Sequence, residues 1–209
     1  GVAGTSPGWI AFDTKTPRGA LTTETVQFLE RLDQFIKAQP NVSYTYSVAT
    51  YIKRMNLVLN DMNPAFLRVP QAVEQVTVVD DDGKPETFDV DGNSLIEQHI
   101  MMFENGGGTD LQNVLNADYS KAVTLFTMTS SVAGDYQAML DKLDAWLVIN
   151  KPANLQVTHA GTPYIWTGVL QEITQGQVLS FSLALRATSR SSSVLSVRPE
   201  MKSINRCTS

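Results

Sequence analysis

The sequence predicts an α+β fold in which two βαβ halves are separated by an inserted section at about residues 48–117. The order strand, helix, strand occurs twice, once on each side of the insertion. In each half, apolar residues first occur at every second position, as in a strand, and then recur at the spacing of a helix. The chain has 209 residues, of which 43% are hydrophobic, and this is enough to form a substantial core.

The first half begins with an alternating aromatic stretch, Trp9–Asp13, which predicts a strand followed by a turn. A helix is predicted over Thr23–Gln39, because apolar residues recur at helical spacing until Pro40 ends the pattern. Val42–Ser47 then alternates as a second strand. These three elements make one βαβ unit.

The inserted section does not follow this order of strand, helix and strand. Val48–Leu59 has the spacing of a helix, Pro64 lies beyond its end, and Phe66 anchors the loop that follows. Two β-prone runs, Val76–Asp80 and Thr87–Val90, flank a turn with an Asp-Gly step. This arrangement is typical of a β-hairpin.

Acidic residues in and after this turn allow two interpretations, a calcium site or a solvated turn. Calcium would be held by carboxylate and amide oxygens, but the spacing of an EF-hand with its closing Glu is missing. The solvated turn is therefore favoured. The residues concerned are Asp80, Asp81, Asp82, Asp89, Asp91 and Asn93.

A further helix is predicted from Ser94, since Glu97 follows three residues later in the pattern of a capping box. Gly106–Gly108 should end this helix. The run Ile100–Phe103 places four apolar residues around more than one face of the helix. One face cannot bury all four, so some should meet the insertion, a partner or a ligand.

The second half repeats the plan of the first. Lys121–Thr129 and Leu155–Ala160 are predicted strands, and Asp135–Asn150 is the helix between them. The two halves together predict a ferredoxin-like split βαβ fold, in which four strands form one antiparallel sheet with both helices on one face. A last helix should begin at Gly161–Pro163.

Charge and cysteine content exclude several classes of function. The last 24 residues hold five bases and one acid, which leaves 11 bases and 20 acids, a formal charge of −9, on residues 1–185. This argues against a nucleic-acid partner, because phosphate contacts need clustered Lys and Arg. Cys207, His99 and His159 stand at no recognisable catalytic or metal-binding spacing. We therefore predict no catalytic residue, no metal, no cofactor and no enzyme activity.

Three runs of sequence carry a family resemblance. Over about residues 4–185 the chain resembles the large extracytoplasmic loop of RND-superfamily exporters and, more narrowly, of MMPL-like exporters. The hairpin at 76–90 looks like an insertion relative to that family. The Ser- and Arg-rich tail at 186–209 stands where the family continues an apolar helix, and we interpret it as a cloning scar or a frameshifted end. The runs are MNLVLNDMNPAFLRVP, IEQHIMMFENGGGTDLQNVLNADYSKAVTLFTM and HAGTPYIWTGVLQEITQGQVLSFSLAL.

The resemblance implies a porter domain of a proton-driven exporter on the periplasmic side of the inner membrane. Its partners would be a hydrophobic or lipid-like molecule, the transmembrane helices, the other extracytoplasmic loop of the transporter and, in a homo-oligomer, further copies. The ionisable residues of proton coupling would lie in the transmembrane helices. For each candidate cargo-lining residue, ordinary core packing is the alternative. The candidates are Tyr51, Met55, Phe66, Ile100, Met101, Met102, Phe103 and Trp166.

A second function class remains open, a soluble ligand-binding or protein-interaction module that takes no part in transport. Its sheet would serve for docking. The sequence of the parent protein distinguishes the two classes, because an exporter has several apolar segments of about 20 residues.

Overall fold

The protein is described from a computed structural model that covers residues 6–79, 82–130 and 132–194. Its elements form an α+β protein with antiparallel sheets and five α-helices among the described residues, which confirms the predicted class. The strands are β1 (Ser6–Asp13), β2 (Val42–Tyr46), β3 (Val73–Val79), β4 (Pro85–Asp91), β5 (Lys121–Met128) and β6 (Gln156–Gly161). The helices are α1 (Thr23–Lys37), α2 (Val48–Leu59), α3 (Gly92–Asn105), α4 (Ala133–Asn150) and α5 (Thr162–Val194).

The four strands predicted for the two halves pair in one sheet. Their order is β2-β5-β1-β6, and every neighbouring pair is antiparallel. The central strands β1 and β5 pair from Ser6 opposite Met128 to Asp13 opposite Lys121. Strand β1 therefore starts at Ser6 and not at the predicted Trp9, because its ladder with β5 continues to that point.

One face of this sheet carries α1 and α4. Alternate side chains of β1 point inward, and Ile10 and Phe12 are fully buried. The ring of Phe12 meets Phe28 of α1 edge-on at 5.4 Å between centroids, and Phe28 lies 5.7 Å from Trp146 of α4. At the other end of β1, Ser6 forms a 2.5 Å hydrogen bond with Tyr136 of α4. Both helices therefore pack on the same face.

The opposite face of the sheet is partly open. The register places Trp9 opposite Leu125, and Leu125 opposite Tyr46 on its other side. Trp9 is 36% exposed and Tyr44 is 54% exposed. We call Trp9, Tyr44, Tyr46 and Leu125 the outer face.

The inserted section begins directly after β2. Ser47 caps α2 through a capping box with Thr50, which fixes where the chain turns from strand to helix. The hairpin of β3 and β4 forms the second sheet and pairs from Val73 opposite Asp91 to Val79 opposite Pro85. Its strands start earlier than the sequence predicted.

Helix α3 starts before the predicted capping box, so that prediction was wrong. Asp91 is the N-cap, and its carboxylate accepts a hydrogen bond from the backbone N–H of Ser94 at 3.1 Å. Glu97 instead pairs with Arg18 at 2.7 Å. The backbone N–H of Gly92 is bonded to the carbonyl of Ala72 at 2.9 Å, which fixes the end of the hairpin and with it the start of the helix.

Helix α5 continues to Val194, although the residues after Leu185 were expected to form a tail without helical period. Neither glycine nor proline occurs between Gly176 and Pro199, so no helix-breaking residue ends it there. By their contacts the described residues divide into two compact units, one ending at Thr167 and the other beginning at Gly168. Residues 195–209, with Cys207, lie outside the described residues. No described helix is long and apolar enough to cross a membrane.

Candidate functional site

A cleft of about 410 Å³ lies inside the inserted section. Its walls are formed by α2, the turn at Phe66, strand β3 and α3. We call it the insertion cleft. Its volume falls within the range of roughly 300–1,000 Å³ that is usual for small-molecule sites.

Helix α3 supplies one wall because two of its faces carry apolar residues. Ile96 and Ile100 face the core and are buried. Leu95, His99 and Met102 recur at helical spacing on the neighbouring face and line the cleft. The expectation that Ile100–Phe103 cannot all be buried on one face is met, since Met102 is 49% exposed at the cleft.

The other walls add apolar surface around Met102. Leu59 comes from the end of α2, Phe66 from the turn after it and Val76 from β3. Val76 stands opposite Phe88 in the hairpin, and both strands therefore present apolar side chains on this side. The cleft is thus lined by five apolar side chains from four elements: Leu59, Phe66, Val76, Leu95 and Met102.

An ion pair holds the rim of the cleft. Arg68 and Glu74 form a two-pronged pair, in which Nη1 meets one carboxylate oxygen and Nη2 donates to the other at 2.8 Å. The guanidinium lies 5.8 Å from the ring centroid of Phe66. The Arg68 hydrogen bond holds the pKa of Glu74 below its usual value, so both groups are charged at neutral pH and compensate each other.

Two asparagines, Asn56 of α2 and Asn60 just after its end, form hydrogen bonds within the protein. The buried Asn56 donates to the carbonyl of Arg68 at 3.0 Å. Asn60 donates to the side-chain oxygen of Asn56 at 3.2 Å and to its carbonyl at 2.8 Å. These bonds hold the turn after α2 against the helix. They use part of the hydrogen-bonding capacity of the two side-chain amides.

His99 is a polar residue of the cleft lining whose side chain is buried. It is only 5% exposed, and its Nδ1 is buried without a hydrogen-bond partner among the described residues. Burial lowers the pKa of the imidazole, so the ring is neutral at neutral pH. Sequence reasoning missed His99, because no local motif distinguishes it and its position follows from the packing of α3.

The structure brings only some of the predicted cargo-lining residues together. Phe66 and Met102 line the insertion cleft. Ile100 belongs to the core, Met55 is half-buried away from the cleft lining, and Met101 is 58% exposed on another face of α3. The side chain of Trp166 lies outside the described residues.

Tyr51 and Phe103 lie in a separate row of aromatic rings. Tyr51 is 5.5 Å from Phe103 and 6.3 Å from Tyr46, measured between ring centroids. Tyr46 is in turn 5.1 Å from Tyr44. This row of ring contacts runs from the outer face of the sheet to α2 and α3, so the sheet and the inserted section are in contact along it.

A second groove of about 400 Å³ lies between α1 and α2. The carboxylate of Asp33 accepts hydrogen bonds there from Ser47 at 2.7 Å and from Thr45 at 3.4 Å. Burial raises the pKa of Asp33 to about 6, although the hydroxyl donors and the nearby Lys53 oppose the rise. The groove therefore holds a titratable carboxyl, and most of the side chains that line it are charged or polar.

Within the described part of the chain, no three His, Cys, Asp or Glu side chains converge as metal ligands would. Asp80 and Asp81, which the calcium interpretation required, lie outside the described residues. Asp91, another of that set, serves as the cap of α3.

Comparison of the chain with protein-family models, with curated proteins and with solved structures gave no match.

Proposed function

We propose that this chain is the extracytoplasmic porter domain of a proton-driven RND/MMPL-type exporter, and that it binds and passes hydrophobic or lipid-like cargo. The domain would stand on the periplasmic side of the inner membrane. The transmembrane helices and the other extracytoplasmic loop of the transporter would be its partners. Proton coupling would occur in those helices, so the isolated domain should bind cargo without turnover.

We also propose that the two halves form the ferredoxin-like split βαβ fold expected of porter domains. The strand order supports this, because the strands of the halves, numbered one to four along the chain, lie in the order 2-3-1-4 across the sheet. The packing of α1 and α4 on one face, through Phe28 and Trp146, supports it as well. The inserted section then stands between the halves as a separate binding element.

The observation that carries the proposed cargo binding is the apolar lining of the insertion cleft. Met102 and Leu59 remain exposed there, although burying such side chains would stabilise the protein by about 1.5–3 kcal/mol each. A hydrophobic ligand recovers part of that free energy. Flexible methionine side chains also suit a surface that packs against varied ligands.

The test is binding of the neutral hydrophobic dye N-phenyl-naphthylamine to the 209-residue chain, followed by its fluorescence. We expect saturable binding with a dissociation constant of about 1 μM or weaker, since the membrane part of the route is absent. Met102→Glu should abolish the signal, because it places a charge in the cleft. Met101→Glu is the matched control, because the neighbouring side chain lies off the cleft. Equal effects of the two variants would contradict the proposal.

The alternative is a module that docks another protein on its outer face, and the exposure of Trp9 and Tyr44 favours it. In that case Trp9→Glu, and not Met102→Glu, should abolish the protein's activity in the cell. Capture of a protein partner that depends on Trp9, without any dye binding, would replace the exporter proposal by the docking module.

A further inference from the structure

We propose that the insertion cleft selects uncharged amphiphiles that carry a hydroxyl headgroup, and that His99 binds this hydroxyl. The inference rests on the proposed function and names the class of cargo. It assigns a specificity role to a residue that the sequence did not distinguish. The apolar side chains of the cleft would receive the hydrocarbon part of the same molecule.

The first step is the unpartnered imidazole. A buried ring nitrogen without a hydrogen bond is unfavourable, and the great majority of buried polar atoms in proteins have a partner. His99 is 5% exposed, lies on the cleft lining, and has an orphaned Nδ1. A turn of the ring that brings this nitrogen to the cleft would let a ligand hydroxyl satisfy it, since a neutral imidazole has one acceptor nitrogen and one N–H donor.

The second step concerns which other polar groups of the cleft remain available. Glu74 is bound to Arg68, and Asn56 and Asn60 are bound to each other and to the backbone. Gln75 donates to Asp89 at 3.4 Å, and Thr77 shares a hydrogen bond with Thr87 at 3.1 Å. The side chain of Gln98, beside His99 on α3, has no hydrogen bond to another described residue. Among the described lining residues, the polar side chains without an internal hydrogen bond, His99 and Gln98, therefore lie side by side on α3.

The third step is the charge of the lining. Among the described residues, no lysine or arginine lines the cleft, and the nearby Arg68 is paired with Glu74. A fatty-acid carboxylate would lose its hydration there and gain no cation in return, which is strongly unfavourable. A neutral hydroxyl loses much less, because one hydrogen bond to His99 compensates it.

The experiment displaces the bound dye with three amphiphiles of equal chain length: monodecanoin, decanoate and a decyl-trimethylammonium salt. All are used below their micelle concentrations, with the 209-residue chain. We expect monodecanoin to displace the dye at a concentration about tenfold lower than decanoate, which corresponds to roughly one good hydrogen bond. The cationic amphiphile should compete as poorly as decanoate.

Variants of His99 identify the group that binds the hydroxyl. His99→Leu should lower the affinity for monodecanoin about tenfold relative to the affinity for the dye, because only monodecanoin offers a hydroxyl to the imidazole. His99→Gln should recover most of the affinity, since the amide again offers a donor and an acceptor. His159→Gln is the control, because His159 pairs with Asp144 at 3.0 Å and lies off the cleft.

Nitrogen NMR of the unmodified chain supplies a readout that does not depend on a variant folding. The chain has two histidines, so each ring can be assigned from a single substitution. Saturation with monodecanoin should shift the ring nitrogens of His99 and leave those of His159 in place. Unchanged His99 resonances at saturation would overturn the assignment of His99.

The outcomes separate this inference from the proposed function. If the dye binds and all three amphiphiles displace it equally well, headgroup selection is wrong and the apolar cargo site stands. If monodecanoin is preferred but His99→Leu has no effect, the role of His99 is wrong. If no dye binds at all, the cleft is not a cargo site and both proposals fail.

Discussion

Asp33 is a half-buried carboxyl at the junction of α1, β2 and α2. Its pKa is raised to about 6 from the usual 3.8, chiefly by burial. In the unfolded chain the same group ionises near 3.8, so between these values the folded state holds the proton more tightly. The free energy of unfolding should therefore fall as the pH rises from about 4 to about 6, and the loss should persist above that.

The corresponding prediction is that Asp33→Asn stabilises the protein at pH 8 by about 1–3 kcal/mol. The gain should shrink as the pH falls toward about 4, where the native carboxyl is itself neutral. Urea unfolding of both proteins at the two pH values measures the difference. Asp13→Asn is the control, because the Lys15 hydrogen bond lowers the pKa of that exposed carboxyl. A pH-independent difference for Asp33→Asn would contradict the assignment.

At the same scale, sequence reasoning found two of the cleft residues and missed a third. Phe66 and Met102 were predicted because large apolar residues stand out in a polar insertion. The position of His99 at a cleft could not be predicted, since the same cleft also needs residues of α2 and β3, which come from other parts of the chain. Met101 was predicted with its neighbours, and one step of helical rotation carries it to an exposed face.

At the scale of elements, Gly161 joins β6 to α5 in a conformation that suits only glycine. Its φ is +96°, and an added Cβ would lie 2.5 Å from the ring of Trp9 and 2.7 Å from the carbonyl of Pro7. We expect Gly161→Ala to destabilise the protein by about 2–4 kcal/mol, from backbone strain and overpacking. Thermal or urea unfolding measures this.

The matched control for that substitution is Gly134→Ala near the start of α4. Nothing lies within 4 Å of an added Cβ there, and alanine favours the helix. Gly134→Ala should leave the free energy of unfolding unchanged or raise it by up to about 1 kcal/mol. If Gly161→Ala proves as stable as the control, the junction between β6 and α5 does not have the backbone described.

The start of α3 shows why element boundaries were harder to predict than elements. Two residues with good capping side chains, Asp91 and Ser94, lie three positions apart. The choice between them is made by the bond from Gly92 to Ala72, and by Asn93, which accepts hydrogen bonds from the backbone and hydroxyl of Thr23. Both contacts come from distant parts of the chain, so the local sequence could not decide.

At the scale of the molecule, the two periodicities of the apolar residues were enough to predict four strands and two helices of the sheet unit. Each helix has one apolar stripe and each central strand one apolar face. Only a few arrangements of the helices on the sheet bury all of these apolar surfaces. The insertion was less predictable. Its cleft depends on the Arg68–Glu74 pair and on the approach of α2 to α3, and neither follows from spacing along the chain.

The central claim is that the insertion cleft carries cargo for export, and dye accumulation in cells tests it most directly. Cells that express the proposed transporter, with this chain as its extracytoplasmic domain, should accumulate less N-phenyl-naphthylamine than cells without it. Met102→Glu should restore accumulation and Met101→Glu should not, because only Met102 lines the cleft. Equal protein levels of the variants are confirmed by immunoblot. Accumulation that is unchanged by the protein, or restored equally by both variants, would contradict the claim.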